Sequence, residues 1–145
     1  MSNQTTDNDS NLVVAADLGG THLRVALVDE NGRILAQLKK ETPKEAHPDC
    51  VVRAIVEAEQ QCRSDSNVAS SRVIAASIMV PGTVDKTNSI VVQAPNLPCL
   101  NNFGLKHALE HKFGCPVVLE NDANAAAMGE MWLGAARGYR NVVCV

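Results

Sequence analysis

Two glycine-containing turns divide the first forty residues into three short segments, and this pattern constrains the fold more than any other. Residues 12–16 form an apolar run, and residues 22–29 alternate polar and apolar side chains, as a half-buried strand does. Gly-Gly separates these two segments, and Asn-Gly separates the second from residues 34–39, which again have strand character. The sequence therefore predicts an antiparallel meander of three strands.

Helix-like and strand-like segments alternate after the meander. Apolar side chains at helical spacing follow Pro48, mark residues 105–113, and return in an Ala-rich stretch at residues 122–136. A buried strand is expected at residues 72–80, a short extended piece at residues 89–93, and further strands at residues 117–120 and 141–145. A meander followed by this alternation predicts an α/β fold with a mixed sheet.

The charge balance excludes several classes of partner. The chain has 145 residues, with 13 Lys and Arg against 16 Asp and Glu, for a net charge of -3. A negatively charged domain is not attracted to nucleic acid or to an anionic membrane surface, so we expect neither as a partner. No apolar run approaches the roughly 20 residues that span a bilayer. Small anionic ligands remain compatible, because a few backbone amides can hold them.

The length and the cysteines indicate how the chain is organised. One domain, or one lobe of a larger protein, fits 145 residues. Polar residues 1–11 predict a disordered leader, residues 12–136 an α/β lobe, and residues 137–145 the start of a second lobe. The five cysteines are scattered and include no C-x-x-C pair, which favours a reducing, cytoplasmic setting over disulfide bonds.

The first candidate site is the turn Asp17-Leu18-Gly19-Gly20-Thr21. Glycines lack a Cβ, so backbone N–H groups there can approach phosphate oxygens, while Thr21 adds a hydroxyl. Asp17, at a strand end, can hold a hydrated Mg²⁺ on the same phosphate. The alternative interpretation is a plain Gly-Gly hairpin, in which glycine serves only to allow positive φ angles.

The second candidate is Glu120-Asn121-Asp122-Ala123-Asn124, where a buried strand meets a helix. A carboxylate here faces the crevice in which α/β sheets bind ligands. The positive end of the helix dipole favours the ionised form of Asp122, which can then accept a proton from a substrate hydroxyl. Alternatively, Asn121 or Asp122 only caps the helix, and the two roles are compatible.

Two loops follow the strand predicted at residues 72–80. Pro-Gly ends that strand and opens a loop at residues 81–85, and an Ala-Pro-Asn-Leu-Pro loop follows at residues 94–98. Turn formation alone explains such Pro, Gly and Asn residues. On the predicted sheet, both loops line the same crevice, where Gly82 and Asn96 can meet a polyhydroxylated ligand.

Together these segments resemble the ROK family of sugar kinases, and within it the bacterial glucokinases. Residues 14–29 are similar to the family's first phosphate-binding segment, and the motifs at residues 81–82, 94–98 and 120–126 follow in the family's order and approximate spacing. The resemblance covers residues 12–145. It implies the actin-like, ribonuclease H-like ATPase fold, with this chain supplying the N-terminal lobe.

The resemblance also implies a role for each motif residue. Four residues of the first turn would face ATP and Mg²⁺: Asp17, Gly19, Gly20 and Thr21. Asp17 would hold the metal through water. Four residues of the other motifs would contact the sugar: Gly82, Asn96, Asn121 and Asp122. Asp122 would in addition be the base that takes the proton from the sugar's 6-hydroxyl.

The implied function is ATP-dependent phosphorylation of a hexose, with glucose as the expected substrate and glucose 6-phosphate as the product. Other functions stay open: a kinase for N-acetylmannosamine or fructose, a sugar-sensing ROK regulator, or a lobe that binds without catalysis. A ROK regulator needs a helix-turn-helix before the sugar-binding fold. Only about ten polar residues precede the first strand here, which argues against that function.

Several features of the family would lie beyond residue 145, among them the second phosphate loop, further sugar ligands and a zinc motif. We therefore expect these 145 residues alone to turn over negligibly. Zinc is expected only in that later part, and a homodimer only in the full-length protein. Two positions depart from the family's pattern: His22 stands where Lys is common, and Cys99-Leu100 where many relatives have Gly-Trp.

Overall fold

The structure is a computed structural model, describing residues 10–45 and 47–144, and it is built around a mixed sheet of five strands. The strands in chain order are β1 (Leu12–Leu18), β2 (His22–Asp29), β3 (Ile34–Glu41), β4 (Val73–Val80), β5 (Thr83–Asp85), β6 (Ile90–Gln93) and β7 (Val117–Asn121). The sheet has the order β3-β2-β1-β4-β7, and β5 pairs with β6 in a separate hairpin. Antiparallel pairing from β1 to β3 and parallel pairing from β1 through β4 to β7 confirm the predicted α/β architecture.

Three helices connect or follow these strands: α1 (Pro48–Asp65), α2 (Leu105–Phe113) and α3 (Asp122–Trp132). Helix α1 begins at a proline, whose fixed φ suits the first turn, and the His47 ring accepts a hydrogen bond from the Asp49 N–H as its N-cap. Helix α2 ends at Gly114, which has a φ of 68° and so adopts the left-handed conformation of a C-cap glycine. Local sequence signals therefore mark these two helix ends.

One face of the sheet packs on α1 and forms the core. Alternate residues of β1 and β2 are buried there, as the period of two along a strand predicts. They meet the apolar side of α1: Val51, Val52, Ile55, Ala58 and Cys62. Glu59 is buried on the same side of α1, where Arg63 pairs with it one turn later. The core thus holds in place the strands whose ends carry the candidate site.

Helix α3 runs from the end of β7 to the turn between β2 and β3. None of its residues is buried. At its far end, Trp132 and Leu133 approach Gly32, which has a φ of 80°. A Cβ at Gly32 would overlap only the movable end of the Leu133 side chain, so this turn requires glycine mainly for its backbone conformation.

Several element boundaries differ from the sequence prediction. Strand β1 continues beyond residue 16, because Asp17 and Leu18 pair with residues of β2. Residues 83–85, predicted as a loop, pair with β6 as strand β5. Helix α3 ends at Trp132 instead of residue 136, because the chain turns around Glu130, whose carboxylate accepts the Ala135 N–H at 2.8 Å.

The predictions for the two termini have different outcomes. The strand predicted at residues 141–145 is wrong for residues 141–144, which pair with no described strand, and Val145 lies outside the described residues. Most of the leader predicted at residues 1–11 also lies outside them, although the Ser10 carbonyl accepts hydrogen bonds from Arg72. No helix within the described ranges combines the length and apolar character that crossing a membrane requires.

Candidate functional site

The carboxyl ends of β1, β4 and β7 lie side by side and carry the candidate residues. Asp17 on β1 is level with Met79 on β4, which is level with Glu120 on β7. Neighbouring strands are about 4.8 Å apart, so the strand ends that carry Asp17 and Asp122 are separated by about 10 Å across the sheet. The structure therefore brings the two candidate sites together at the same end of the sheet, where β1, β4 and β7 have their carboxyl ends.

The turn between β1 and β2 is closed by a hydrogen bond from the Gly19 N–H to the His22 carbonyl at 2.9 Å. Neither Gly19 nor Gly20 has a positive φ, so the plain hairpin interpretation does not explain them. Gly20 instead permits a close approach, because a Cβ there would lie 2.7 Å from the Cβ of Asn96. Glycine thus lets this turn pack directly on the loop at residues 94–98.

The same turn offers donors that fit a phosphate group. Among the described residues, no protein acceptor receives the N–H groups of Gly20 and Thr21 or the Thr21 hydroxyl. Asp17 lies near the end of β1, just before this turn; its side chain is 39% exposed, and its Oδ2 accepts a hydrogen bond from Arg24 at 2.9 Å. Free N–H groups beside a carboxylate are a suitable donor and ligand set for a phosphate with a hydrated Mg²⁺.

Thr42, just after β3, holds this turn through two hydrogen bonds, a role that no sequence pattern predicted. Its side chain is buried; the Thr42 hydroxyl donates to the Gly19 carbonyl at 2.7 Å, and its N–H donates to the Thr21 carbonyl at 2.9 Å. In a trans peptide the N–H points opposite to the C=O, so the Gly20 N–H points away from Thr42. The only sequence signal was a Thr-Pro dipeptide at a strand end, which indicates no partner.

Asn121 joins the start of α3 to the end of β4. Its Oδ1 accepts the N–H groups of Ala123 and Asn124 at 3.0 and 3.1 Å, which confirms the predicted helix cap. Its Nδ2 donates to the Gly82 carbonyl at 2.9 Å. Asp122 is exposed at the helix start, where its Oδ1 accepts the Ala123 N–H and its Oδ2 has no partner among the described residues.

Gly82 brings the end of β4 against the loop at residues 94–98. A Cβ at Gly82 would overlap the Gln93 carbonyl and lie 2.9 Å from the Cα of Ala94. The Ala94 N–H is held in turn by the side-chain oxygen of Asn101 at 2.8 Å, a contact that the sequence analysis did not anticipate. The first turn, the loop, the end of β4 and the start of α3 therefore form one continuous surface.

A cavity of about 510 Å³ opens between the β5–β6 hairpin and the start of α3. Polar residues from both sides line it: Thr83, Asp85, Lys86, Glu120, Asn121 and Asn124. The Lys86 ammonium donates to the buried Glu120 and holds the pKa of that carboxyl below its usual range, although burial acts in the opposite direction. Amide, hydroxyl and charged groups of this kind suit a polyhydroxylated ligand.

Other titratable groups of the described residues are not arranged as a metal centre. Within residues 10–45 and 47–144, no group of three or more His, Cys, Asp and Glu side chains is placed to hold a metal ion. Burial raises the pKa of the thiols of Cys99 and Cys115, which are therefore protonated at neutral pH. A Mg²⁺ held through water by Asp17 alone does not require such a cluster.

Known sequences place this chain in a family. The ROK family profile matches residues 13–145. The glucokinase of Streptomyces coelicolor is 39% identical over 134 residues, which are 92% of this chain and 40% of that protein. The glucokinase of Thermotoga maritima is 38% identical over 133 residues, with the same coverage of the two chains. This chain thus spans about 40% of the length of the curated relatives it matches.

Solved structures agree with the sequence matches. The ROK hexokinase from Thermus thermophilus superposes with a TM-score of 0.79 at 38% identity, covering 88% of this chain and 40% of that one. A ROK family glucokinase from Streptomyces griseus, in complex with glucose and AMPPNP, gives 0.78 at 38% identity and covers 88% of this chain and 38% of that one. These neighbours confirm the actin-like ATPase fold that the family resemblance implies. The chain belongs to the ROK family.

Proposed function

We propose that the protein containing this chain transfers the γ-phosphoryl group of ATP to the 6-hydroxyl of a hexose, and that the hexose is glucose. The observation that carries this proposal is the single surface that joins the Gly20 turn, Asn96, Gly82 and Asp122. A sugar kinase must hold a phosphate and a hydroxyl side by side, and this surface offers donors for the first and a carboxylate for the second. Relatives named glucokinase match the chain across all of these positions.

The first turn performs the phosphate side of the reaction. ATP with Mg²⁺ supplies the phosphoryl group and neutralises part of its charge. The N–H groups of Gly20 and Thr21 bind phosphate oxygens together with the Thr21 hydroxyl, and Asp17 holds the hydrated metal. Phosphoryl transfer depends mainly on such positioning and charge stabilisation, so these small contacts carry much of the catalytic effect.

The start of α3 performs the sugar side of the reaction. Gly82, Asn96 and Asn121 contact the hexose; Asn121 keeps one amide hydrogen for a sugar hydroxyl, because the other is donated to Gly82. Asp122 accepts the proton of the 6-hydroxyl at Oδ2, since its Oδ1 already accepts the Ala123 N–H. Removal of that proton makes the hydroxyl oxygen a better nucleophile toward the phosphoryl group.

The remaining parts of the proposal concern the whole protein. Because the chain covers about 40% of its relatives, we propose that residues 137–144 lead into a second lobe that completes the nucleotide site. We also propose a cytoplasmic homodimer whose partners are ATP and a hexose, without nucleic acid or membrane. The free thiols among the described cysteines are consistent with a reducing compartment.

A hexose panel tests the substrate. The complete gene product that contains these residues is assayed for ADP release with ATP, Mg²⁺ and glucose, mannose, fructose or N-acetylmannosamine. We expect kcat/KM to be highest for glucose, by about tenfold or more, because polar side chains that bind one hydroxyl pattern are left unpaired by another. A higher value for another hexose would correct the substrate. Sugar binding without turnover would instead favour a regulator; a ROK family transcriptional regulator superposes with a TM-score of 0.74 at 25% identity.

Replacing Thr42 by Val tests the brace behind the first turn. The variant keeps the β-branched shape and loses the hydroxyl that holds the Gly19 carbonyl. The part-buried Gly19 carbonyl then lacks its partner, and the turn keeps its phosphate-binding shape only at a cost of about 1–3 kcal/mol. We therefore expect the KM for ATP to rise roughly tenfold and the KM for hexose to change less. Steady-state kinetics with Thr42→Ser, which retains the hydroxyl, provides the control. A KM for ATP that is the same in the Val variant and the wild type would contradict this role.

A further inference from the structure

The tip of the β5–β6 hairpin is tied to the start of α3 by an ion pair that the proposed mechanism does not use. The Lys86 ammonium donates to Oε2 of Glu120 at 2.5 Å. The Lys86 side chain is 66% exposed, whereas that of Glu120 is 11% exposed. A solvent-exposed cation on a flexible stem is therefore anchored by a nearly buried carboxylate.

Glu120 accepts hydrogen bonds from donors in three parts of the site. Besides Lys86 at Oε2, its Oε1 accepts the Asn121 N–H at 2.9 Å and the side-chain amide of Asn124 at 3.1 Å. These donors belong to the hairpin, to the end of β7 and to the first turn of α3. A buried carboxylate is stable only when its oxygens stay paired, so Glu120 links the positions of the three elements.

Glu120 and Asn121, which are adjacent at the end of β7, hold the tip and the base of the β5–β6 hairpin. Asn121 bonds the Gly82 carbonyl at the hairpin base, and Glu120 bonds Lys86 at its tip. Within the tip, the Asp85 carboxylate accepts the N–H groups of the two residues that follow Lys86 and so fixes the turn that presents the ammonium. The tip and the base thus flank the cavity of about 510 Å³, whose other side is lined by Glu120, Asn121 and Asn124.

We propose that Lys86 is a positioning residue for the hexose. Through Glu120 it holds the β5–β6 hairpin against the start of α3, and so it sets the width of the cavity of about 510 Å³ in which the hexose binds. Without the ion pair, the hairpin tip is released while its base stays bonded to Asn121. The hairpin side of the cavity, where Thr83 and Asp85 lie, then moves away from the hexose, whereas the phosphate-binding turn, which Thr42 holds, is unaffected. This inference rests on the proposed hexose kinase function.

The kinetic test uses five variants of the complete gene product: Lys86→Met, Lys86→Arg, Glu120→Gln, the double variant of Lys86→Met with Glu120→Gln, and Lys106→Met. Lys86→Met keeps a long stem and removes the charge, and we expect it to raise the KM for hexose about threefold to tenfold while the KM for ATP stays unchanged. Lys86→Arg should retain the wild-type KM. In the double variant of Lys86→Met with Glu120→Gln, the KM for hexose should rise by less than the two single variants together predict, because both substitutions remove the same contact. Lys106→Met, which breaks a half-buried Lys-Glu pair on α2, is the matched control.

Two results would overturn the inference: an unchanged KM for hexose in Lys86→Met, or equal rises in the KM for hexose and for ATP. Amide hydrogen exchange of the ligand-free protein separates this inference from the proposed function. We expect faster exchange at residues 83–93 in Lys86→Met and not in Lys106→Met. If no hexose is phosphorylated, the proposed function fails. Faster exchange in Lys86→Met would still support the role of the Lys86–Glu120 ion pair in holding the hairpin, and unchanged exchange would contradict that role.

Discussion

Replacing Asp122 by Asn is expected to lower kcat for hexose phosphorylation by about 10²–10⁴-fold and to leave the KM for hexose nearly unchanged. The Asn side-chain oxygen can still accept the Ala123 N–H, as Oδ1 of Asp122 does, so the helix start is preserved. An amide cannot accept the proton of the 6-hydroxyl, so the loss falls on turnover and not on binding. Initial rates over a range of hexose concentrations measure both quantities.

Asp49→Asn is the matched control for this prediction. Asp49 lies in the first turn of α1, as Asp122 lies in the first turn of α3, and both are exposed acids. An acid at that position stabilises a helix by about 0.3–1 kcal/mol. The control removes this effect together with the exposed contact between the Asp49 carboxylate and the His47 ring at 3.4 Å. We expect Asp49→Asn to keep the wild-type kcat. Similar losses in the two variants, or full turnover by Asp122→Asn, would contradict the role of Asp122 as base.

Replacing Gly82 by Ala is expected to lower the free energy of unfolding by about 1–3 kcal/mol, because the added methyl has no space. It would overlap the Gln93 carbonyl and crowd the Cα of Ala94, and neither is a flexible side-chain end. To make room for the methyl, the loop at residues 94–98 should move away from Asn121. This movement separates two groups of sugar contacts and raises the KM for hexose. Urea unfolding and steady-state kinetics measure the two effects.

Gly104→Ala provides the control for the added methyl. Gly104 precedes α2 with a φ of -77°, and a Cβ there would meet no heavy atom within 4 Å. We expect a change of about 0.5 kcal/mol or less in the free energy of unfolding, with an unchanged KM for hexose. Equal destabilisation of both variants would show that the contact with Gln93 is not the cause.

Local patterns were sufficient to predict the meander, the helix starts and the candidate motifs. They were not sufficient to explain the glycines of the first turn. The positive φ angles of a plain hairpin do not occur at Gly19 and Gly20. The contact that requires Gly20 is with Asn96, a residue far along the chain, and no local pattern reveals such an approach.

The residues that the sequence analysis missed share this cause. Thr42 bonds a carbonyl 23 residues earlier, and Lys86 bonds a carboxylate 34 residues later. Neither residue type is unusual in its own segment, so only the folded sheet identifies its partner. The early end of α3 has a similar origin, because the Glu130 side chain captures a backbone N–H five residues later and turns the chain.

The most direct measurement is hexose-dependent ADP release by the complete gene product, with ATP and Mg²⁺, for the wild type beside Asp122→Asn. The account predicts ADP release by the wild type only when a hexose is present, and its near-complete loss in the variant although hexose still binds. ADP release that is independent of hexose, or hexose binding without any ADP release by the wild type, would contradict it.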